Sequence, residues 1–139
     1  MIKFQKLHNY ATEPTRATDG SAGFDLYATD NHTVWPDARV KIPTGISLEI
    51  PQGYAGFIWP RSGMAVKHGF DILAGLIDAD FRGEIMVAGI NHGDRPIEIR
   101  RGDRIAQIVF SPVLVLAEIV ENIDRTTERG AGGFGSTGL

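Results

Sequence analysis

The acidic residue best placed for chemistry is Asp78, which ends an apolar run in the segment 75–84 (GLIDADFRGE). A carboxylate at the end of an apolar strand can orient and deprotonate a water molecule, as hydrolysis of a phosphoanhydride requires. The segment is typical of a β-hairpin with Asp80 and Arg82 as turn residues. It is not a calcium-binding EF-hand loop, because the fifth position holds Arg82 and the twelfth holds Gly89 instead of glutamate.

Two further segments offer groups that bind anions. Residues 60–63 (PRSG) precede a short helical pattern, so that an arginine, a hydroxyl and backbone N–H groups come together at a helix N-terminus, where phosphate can bind. The alternative role for Ser62 is a plain N-cap. Farther along the chain, Arg104 and Gln107 enter a strand, where either side chain could contact a polar ligand.

The glycine-rich segment 129–138 (RGAGGFGSTG) contains the spacing G-x-G-x-x-G. A Rossmann turn is rejected because too few residues follow to form the helix that would hold a pyrophosphate. A P-loop is rejected because no lysine follows the glycines. Exposed backbone N–H groups remain, with donors on Arg129, Ser136 and Thr137, and Phe134 could stack on a base. A disordered tail is the alternative.

Metal-binding patterns are weak. The sequence has no cysteine, and its four histidines lack ligand spacing, so we expect no metal site built from protein ligands alone. A magnesium ion held mainly by substrate phosphates is compatible with the sequence, with Asp25 in the segment 22–26 (AGFDL) touching its water ligands.

The length of 139 residues predicts one domain, and a hydrophobic content of 42% allows a core. A net charge of -3 provides no basic field for a nucleic-acid polymer. No apolar run approaches the roughly 20 residues of a membrane span, and the N-terminus does not look like a signal peptide. We therefore expect a soluble intracellular protein that binds neither a nucleic-acid polymer nor a membrane.

Short runs of strand-forming residues between turn residues predict an all-β fold. The predicted strands are residues 1–7, 38–42, 46–50, 54–59, 84–90 and 105–110. The one helical candidate covers residues 62–68 and is stopped by Gly69. The repeated strand pattern therefore argues against a parallel α/β architecture.

Residues 113–120 (VLVLAEIV) are apolar on both faces of a predicted strand. A subunit interface would cover the second face, and an ordinary strand buried on both sides is the alternative. From residue 122 the hydrophobic pattern stops. We therefore predict a β-barrel domain over residues 1–121 and a flexible C-terminal arm over residues 122–139.

Taken in order, five segments resemble the five motifs of the trimeric dUTP pyrophosphatases (dUTPases). They are residues 22–26, 60–63, 75–84, 101–107 and 129–138. The resemblance implies an all-β fold, a distorted antiparallel jelly-roll-like β-barrel with one short helix. It also implies a homotrimer with three active sites at subunit boundaries, each completed by the C-terminal arm of another subunit.

The activity implied by this resemblance is hydrolysis of dUTP to dUMP and pyrophosphate. Such an enzyme would limit uracil incorporation into DNA and supply dUMP for thymidylate synthesis. Asp78 resembles the carboxylate that activates the water attacking the α-phosphorus, and Asp25 resembles the residue that holds Mg²⁺ through water. The resemblance assigns substrate binding to Arg61, Ser62, Gly63, Gly75, Ile77, Phe81, Gln107, Arg129, Phe134, Gly135 and Ser136.

Within that set, Arg61, Ser62, Gly63 and Gln107 would contact phosphates. The predicted hairpin from Gly75 to Phe81 would form a slot that recognises uracil largely through backbone groups, which leaves cytosine with mismatched donors. Arg129 would reach the γ-phosphate and Phe134 would close over the uracil.

One position departs from the family pattern. The family usually has tyrosine where this chain has Phe81, against which the deoxyribose packs. The ring is retained, so we expect discrimination against UTP to survive. The missing hydroxyl is expected to affect the anchoring of the loop and the affinity for the substrate.

Two alternatives stay open at this point. The related dCTP deaminases share the fold and trimer, although the segment around Asp78 and the complete arm favour a dUTPase. A non-catalytic nucleotide-binding trimer that regulates a partner is the other alternative, although binding alone would not require both Asp25 and Asp78. We expect a cytoplasmic location, or an intracellular one in a host cell if the gene is viral.

Overall fold

Ten strands and one short helix make up the part of the chain described by this computed structural model, which covers residues 1–136 and Gly138. The elements are β1 (Lys3–Lys6), β2 (Phe24–Tyr27), β3 (His32–Val34), β4 (Arg39–Glu49), β5 (Tyr54–Trp59), α1 (Ser62–His68), β6 (Phe70–Leu73), β7 (Leu76–Ile77), β8 (Glu84–Asn91), β9 (Ile97–Ile99) and β10 (Arg104–Pro112). The all-β prediction is confirmed, and the predicted bounds of β5 and α1 agree with the structure.

The strands form three antiparallel sheets. One sheet has the order β1-β4-β8-β6, the second has the order β2-β10-β5-β7, and β3 pairs with β9 in a small third sheet. Strands that are neighbours in a sheet are often distant in sequence, as in a jelly-roll-like barrel. The second sheet carries the segments around Asp25 and Gln107 on neighbouring strands, β2 and β10.

Alternation along the strands produces the core. In β8 every second residue is buried, which directs Ile85 and Val87 inward. They pack in one cluster with Leu26 of β2 and with Ile58 and Ile108 of β5 and β10. Burial of apolar area at about 25 cal/mol per Å² is the main term that holds the sheets together.

The segment 38–50 differs from its prediction as two strands. It forms the single strand β4, in which the pairing with β8 shifts register between Pro43 and Ser47. The shift is a β-bulge held by side chains: the buried Thr44 hydroxyl donates to Ile85 O at 2.6 Å, and Gly45 N donates to Glu84 Oε1 at 2.7 Å. The alternation of apolar and polar residues is interrupted at 43–45 because the strand has its bulge there, but β4 pairs with β8 again after the bulge.

The helix begins one residue earlier than the N-cap prediction implied. Arg61 is the N-cap residue, with extended backbone and no capping bond from its side chain, and Ser62 is the first residue of α1. Ser62 as N-cap is therefore wrong, which leaves its hydroxyl without a capping role. The predicted stop is confirmed, because Gly69 takes the left-handed conformation at φ 70°.

Residues 75–84 do not form the predicted hairpin. Strand β7 pairs with β5 in one sheet, whereas β8 pairs with β4 and β6 in the other. Asp78 lies in the turn that crosses between the two sheets, where Phe81 N donates to Asp78 O at 3.2 Å. The turn prediction was right, but the two flanking runs bind different partners.

Residues 113–120 do not form the predicted strand in this chain. They lie beyond the end of β10 and are largely exposed, with Ile119 fully so. The alternative of an ordinary strand buried on both sides is therefore wrong for the single chain, and among the described residues most of these apolar side chains are exposed. Among residues 1–136 and Gly138, no helix has the length and apolarity needed to cross a membrane.

The bulge in β4 generates a stability prediction. Gly45 has a φ of 67°, and a Cβ there would lie 2.6 Å from the Cβ of Ala11. Gly45→Ala is expected to cost about 1–2 kcal/mol for backbone strain and a further 1 kcal/mol or more, roughly, for overpacking. Gly102→Ala is the matched control, because Gly102 has a φ of 87° and nothing within 4 Å of its added Cβ. Urea unfolding at equal protein concentrations measures both changes, and equal losses in the two variants would contradict the packing argument.

Candidate active site

The carboxylate of Asp25 is the centre of the polar site on the second sheet. Asp25 lies on β2 with 8% of its surface exposed, and its backbone N donates to Thr15 O at 2.7 Å. It pairs in register with Gln107 on β10. Strand pairing therefore fixes the depth of the carboxylate and places an amide side chain beside it.

Two arginines neutralise this nearly buried carboxylate. Arg61 Nε donates to Asp25 Oδ1 at 3.2 Å, and Arg104 Nη1 donates to Asp25 Oδ2 at 3.4 Å. Arg104 lies before a register shift in the pairing of β10 with β2, and such bulges re-aim side chains. Two cations on one anion leave a net positive charge, which favours an incoming polyanion.

Gln107 joins the same group through a backbone contact. Its Nε2 donates to Pro60 O at 3.2 Å, directly before the segment that holds Arg61. A Cβ at Gly23 would lie 2.9 Å from Gln107 Oε1, so the glycine allows this close approach. These contacts lock β2, β10 and the start of α1 around one cavity.

That cavity has a volume of about 220 Å³. Its lining residues are Ala17, Ser21, Gly23, Asp25, Arg61, Ser62, Gly63 and Gln107. The structure thus brings together five residues predicted from the sequence, Asp25, Arg61, Ser62, Gly63 and Gln107. Their donors and positive charge suit phosphate oxygens.

Asp78 lies apart from this phosphate cavity. It is exposed and lines a larger cavity of about 690 Å³, together with Tyr54, Arg82, Val113 and others. Gly75 borders a third cavity of about 300 Å³. Ile77 is half-buried opposite Gly56, and the ring of Phe81 is exposed.

The described residues of the C-terminal arm line neither the phosphate cavity nor the cavity that contains Asp78. Arg129 Nε donates to Gly132 O at 2.9 Å, and Ser136 N donates to Gly133 O at 3.1 Å, so these bonds stay within the arm. Phe134 and Gly135 are exposed. Thr137, also considered a donor in the sequence, lies outside the described residues.

Sequence reasoning missed two features of the phosphate cavity. Arg104 was noted as a possible ligand contact but not as a partner of Asp25, because the sequence does not reveal which strands pair. Ser21 lines the cavity from the loop before β2, and its position two residues before Gly23 was the only signal. Within the described residues, no group of three or more His, Cys, Asp or Glu side chains could hold a metal ion.

Relatives of known sequence share most of the chain. A protein named deoxyuridine 5'-triphosphate nucleotidohydrolase from Anaeromyxobacter sp. (strain Fw109-5) is 50% identical over 129 residues, which is 90% of this chain and 86% of the relative. A protein of the same name from Paramecium bursaria Chlorella virus 1 is 43% identical over 137 residues, covering 97% of this chain and 96% of the relative.

The fold is also shared with a solved enzyme. The dUTPase of Staphylococcus bacteriophage 80alpha, solved with dUpNHpp, superposes with a TM-score of 0.92 at 27% identity, over 100% of this chain and 99% of that one. A family model described as dUTPase matches residues 9–138. The family model covers most of the chain and the relatives are 43–50% identical to it, so the chain belongs to the dUTPase family.

Proposed function

We propose that this chain hydrolyses dUTP to dUMP and pyrophosphate at a site shared between the subunits of a homotrimer. The hydrolysis is the dUTPase reaction, and the sequence relatives carry its name. The observation that carries the shared site is the separation of Asp78 from the phosphate cavity within one chain. A subunit boundary that joins Asp78 of one chain to the phosphate cavity of another would let both groups act on one substrate.

The exposed apolar segment supports the same arrangement. Within the described part of the chain, residues 113–120 are largely exposed, and Val113 and Val115 line the cavity that contains Asp78. A second copy of the chain that covers this surface would also exclude water around Asp78. Electrostatic interactions strengthen when water is excluded.

In the proposed mechanism the Asp78 carboxylate orients a water molecule and accepts its proton. The water oxygen forms a bond to the α-phosphorus, and the bond from that phosphorus to the bridging oxygen breaks. The products are dUMP and pyrophosphate. General-base assistance of this kind contributes about 10²–10⁴-fold to a rate.

The phosphate cavity supplies the charge that this reaction needs. Arg61 and Gln107 are held by Asp25 and Pro60, so they need little reorganisation when the triphosphate binds. Ser62 and Gly63 add a hydroxyl and backbone N–H groups at the first turn of α1. These donors would contact phosphate oxygens.

Magnesium fits this cavity through water. Asp25 is already paired with Arg61 and Arg104, so its oxygens suit water ligands of the ion better than direct coordination. Mg²⁺ usually keeps several waters and binds substrate phosphates. When bound, it would offset negative charge on the triphosphate. A dUTPase mutant from phage phi11 of S. aureus, similar in fold, coordinates a structural Mg(II) ion.

The base and sugar would bind at the turn between the two sheets. The backbone from Gly75 to Ile77 would pair with the uracil edge, and the Phe81 ring would pack against the deoxyribose. Arg129 of the arm would reach the γ-phosphate, while Phe134, Gly135 and Ser136 would close over the bound nucleotide.

The arm as a separate mobile unit and the intracellular location both stay predictions.

The first test is pyrophosphate release from dUTP, dCTP, dTTP and UTP, each with magnesium and with a chelator. We expect magnesium-dependent release from dUTP and little from the other three, because backbone pairing and the Phe81 ring select both uracil and deoxyribose. Turnover of UTP at a comparable rate would show that the ring does not select the sugar. No turnover by folded protein would contradict the proposed activity.

Replacement of the proposed general base, Asp78, separates substrate binding from the chemical step. Asp78→Asn is expected to lower kcat by about 10²–10⁴-fold while it retains dUTP binding, because the phosphate contacts remain and only the proton acceptor is lost. Single-turnover kinetics measure the chemical step and calorimetry measures binding. A kcat equal to that of the unmodified protein would exclude Asp78 as the base.

Mixed oligomers test the shared site. Asp78→Asn and Arg61→Gln chains, each folded and nearly inactive alone, are co-expressed with different affinity tags and isolated as mixed assemblies. If each site of a trimer takes the two residues from different chains, the isolated mixed trimers regain about one third of their sites, because in each of them one of the three neighbouring pairs joins an intact Asp78 to an intact Arg61. Assemblies that contain both chains and remain inactive would place Asp78 and Arg61 of each working site in the same chain.

A further inference from the structure

The turn that carries Asp78 and Phe81 is held by its own neighbour, Arg82. The Nη1 of Arg82 donates to Ala79 O at 2.7 Å and to Phe81 O at 3.0 Å, so one guanidinium nitrogen spans the turn. Hydrogen bonds from a charged donor are roughly twice as strong as neutral ones. A second and longer bond, from Phe81 N to Asp78 O at 3.2 Å, also closes the turn.

Phe81 has no polar atom on its ring, so packing alone orients it. The ring folds back on Gly83, where an added Cβ would lie 2.7 Å from Phe81 Cζ and 3.1 Å from Cε2. Glycine at 83 therefore leaves the space that this ring occupies. Phe81 is nevertheless 43% exposed, so its position depends on the backbone on either side of it.

The charge of Arg82 has an alternative partner in Glu49. The Lys3 ammonium, which donates to Glu49 Oε1 at 2.7 Å, is the main cause of the lowered pKa of Glu49, and Arg82 makes a smaller contribution through its charge. The hydrogen bonds of the Arg82 guanidinium go to the carbonyls of the turn. Arg82 also lines the cavity that contains Asp78.

We propose that Arg82 is a positioning residue for sugar selection: its guanidinium clamps the 78–82 turn and, with Gly83, fixes the Phe81 ring where the deoxyribose packs. The inference rests on the proposed function, since it assigns that packing to Phe81. Arg82 acts through the backbone of Ala79 and Phe81. Loss of the clamp releases the ring more than it alters the phosphate cavity, because that cavity is built by β2, β10 and α1.

The test compares Arg82→Ala, Arg82→Lys and Gly83→Ala with Arg39→Gln, a control at an exposed arginine at the start of β4. We expect Arg82→Ala to raise the KM for dUTP more than it lowers kcat, and to reduce the ratio of kcat/KM for dUTP over UTP by about tenfold. Gly83→Ala should reduce the same ratio because its Cβ displaces the ring. Arg82→Lys keeps the charge without the planar fork and should recover only part of the ratio.

Several outcomes would overturn the inference. One is an unchanged dUTP-to-UTP ratio in Arg82→Ala, and another is full recovery of the ratio by lysine, which would reduce Arg82 to a surface charge. A loss confined to kcat in Arg82→Ala would indicate a structural role instead. So would a loss of activity that is accompanied by a lowered thermal unfolding midpoint and explained by it. Failure of the proposed function is recognised separately, because then the unmodified protein would not hydrolyse dUTP.

Discussion

The site depends on one nearly buried negative charge. Removing a carboxylate from water costs several kcal/mol unless cations and donors replace the lost hydration, and at Asp25 two guanidinium groups do so. The two arginines come from different segments, Arg61 from the N-cap of α1 and Arg104 from the start of β10. Charge compensation at Asp25 therefore holds together segments that are far apart in the sequence. The same contacts set Arg61 at the edge of the phosphate cavity, with Arg104 on the other oxygen of Asp25.

A second constraint comes from surface that the chain leaves uncovered. The sheets bury a continuous core, yet the residues that follow β10 present apolar side chains to solvent. Large exposed apolar patches mark interaction surfaces. In this chain the patch continues into the cavity around Asp78, whereas the positive charge gathers in the phosphate cavity. Under the proposed function, association of subunits would both cover the apolar surface and complete the site.

The turn between the sheets shows how function uses a topological feature. Strands β7 and β8 follow one another in sequence but enter different sheets, so the residues between them cross the edge of the barrel. A turn in that position cannot rely on ladder hydrogen bonds on both sides. Side-chain donors such as Arg82 and a close packing contact at Gly83 hold it instead. Local contacts of this kind can adjust substrate selection without altering the core.

Local patterns in the sequence predict the fold class, the extent of α1, most strands and five of the residues that line the phosphate cavity. Period-two alternation and turn residues carry that information locally, and the five motifs carry the family. Three features come from strand pairing in the folded chain: segment 38–50 contains one bulged strand, segment 75–84 joins two sheets, and Arg104 pairs with Asp25. Each of these depends on which strands become neighbours. Strand pairing is set by burial of the whole core, and a local pattern does not encode it.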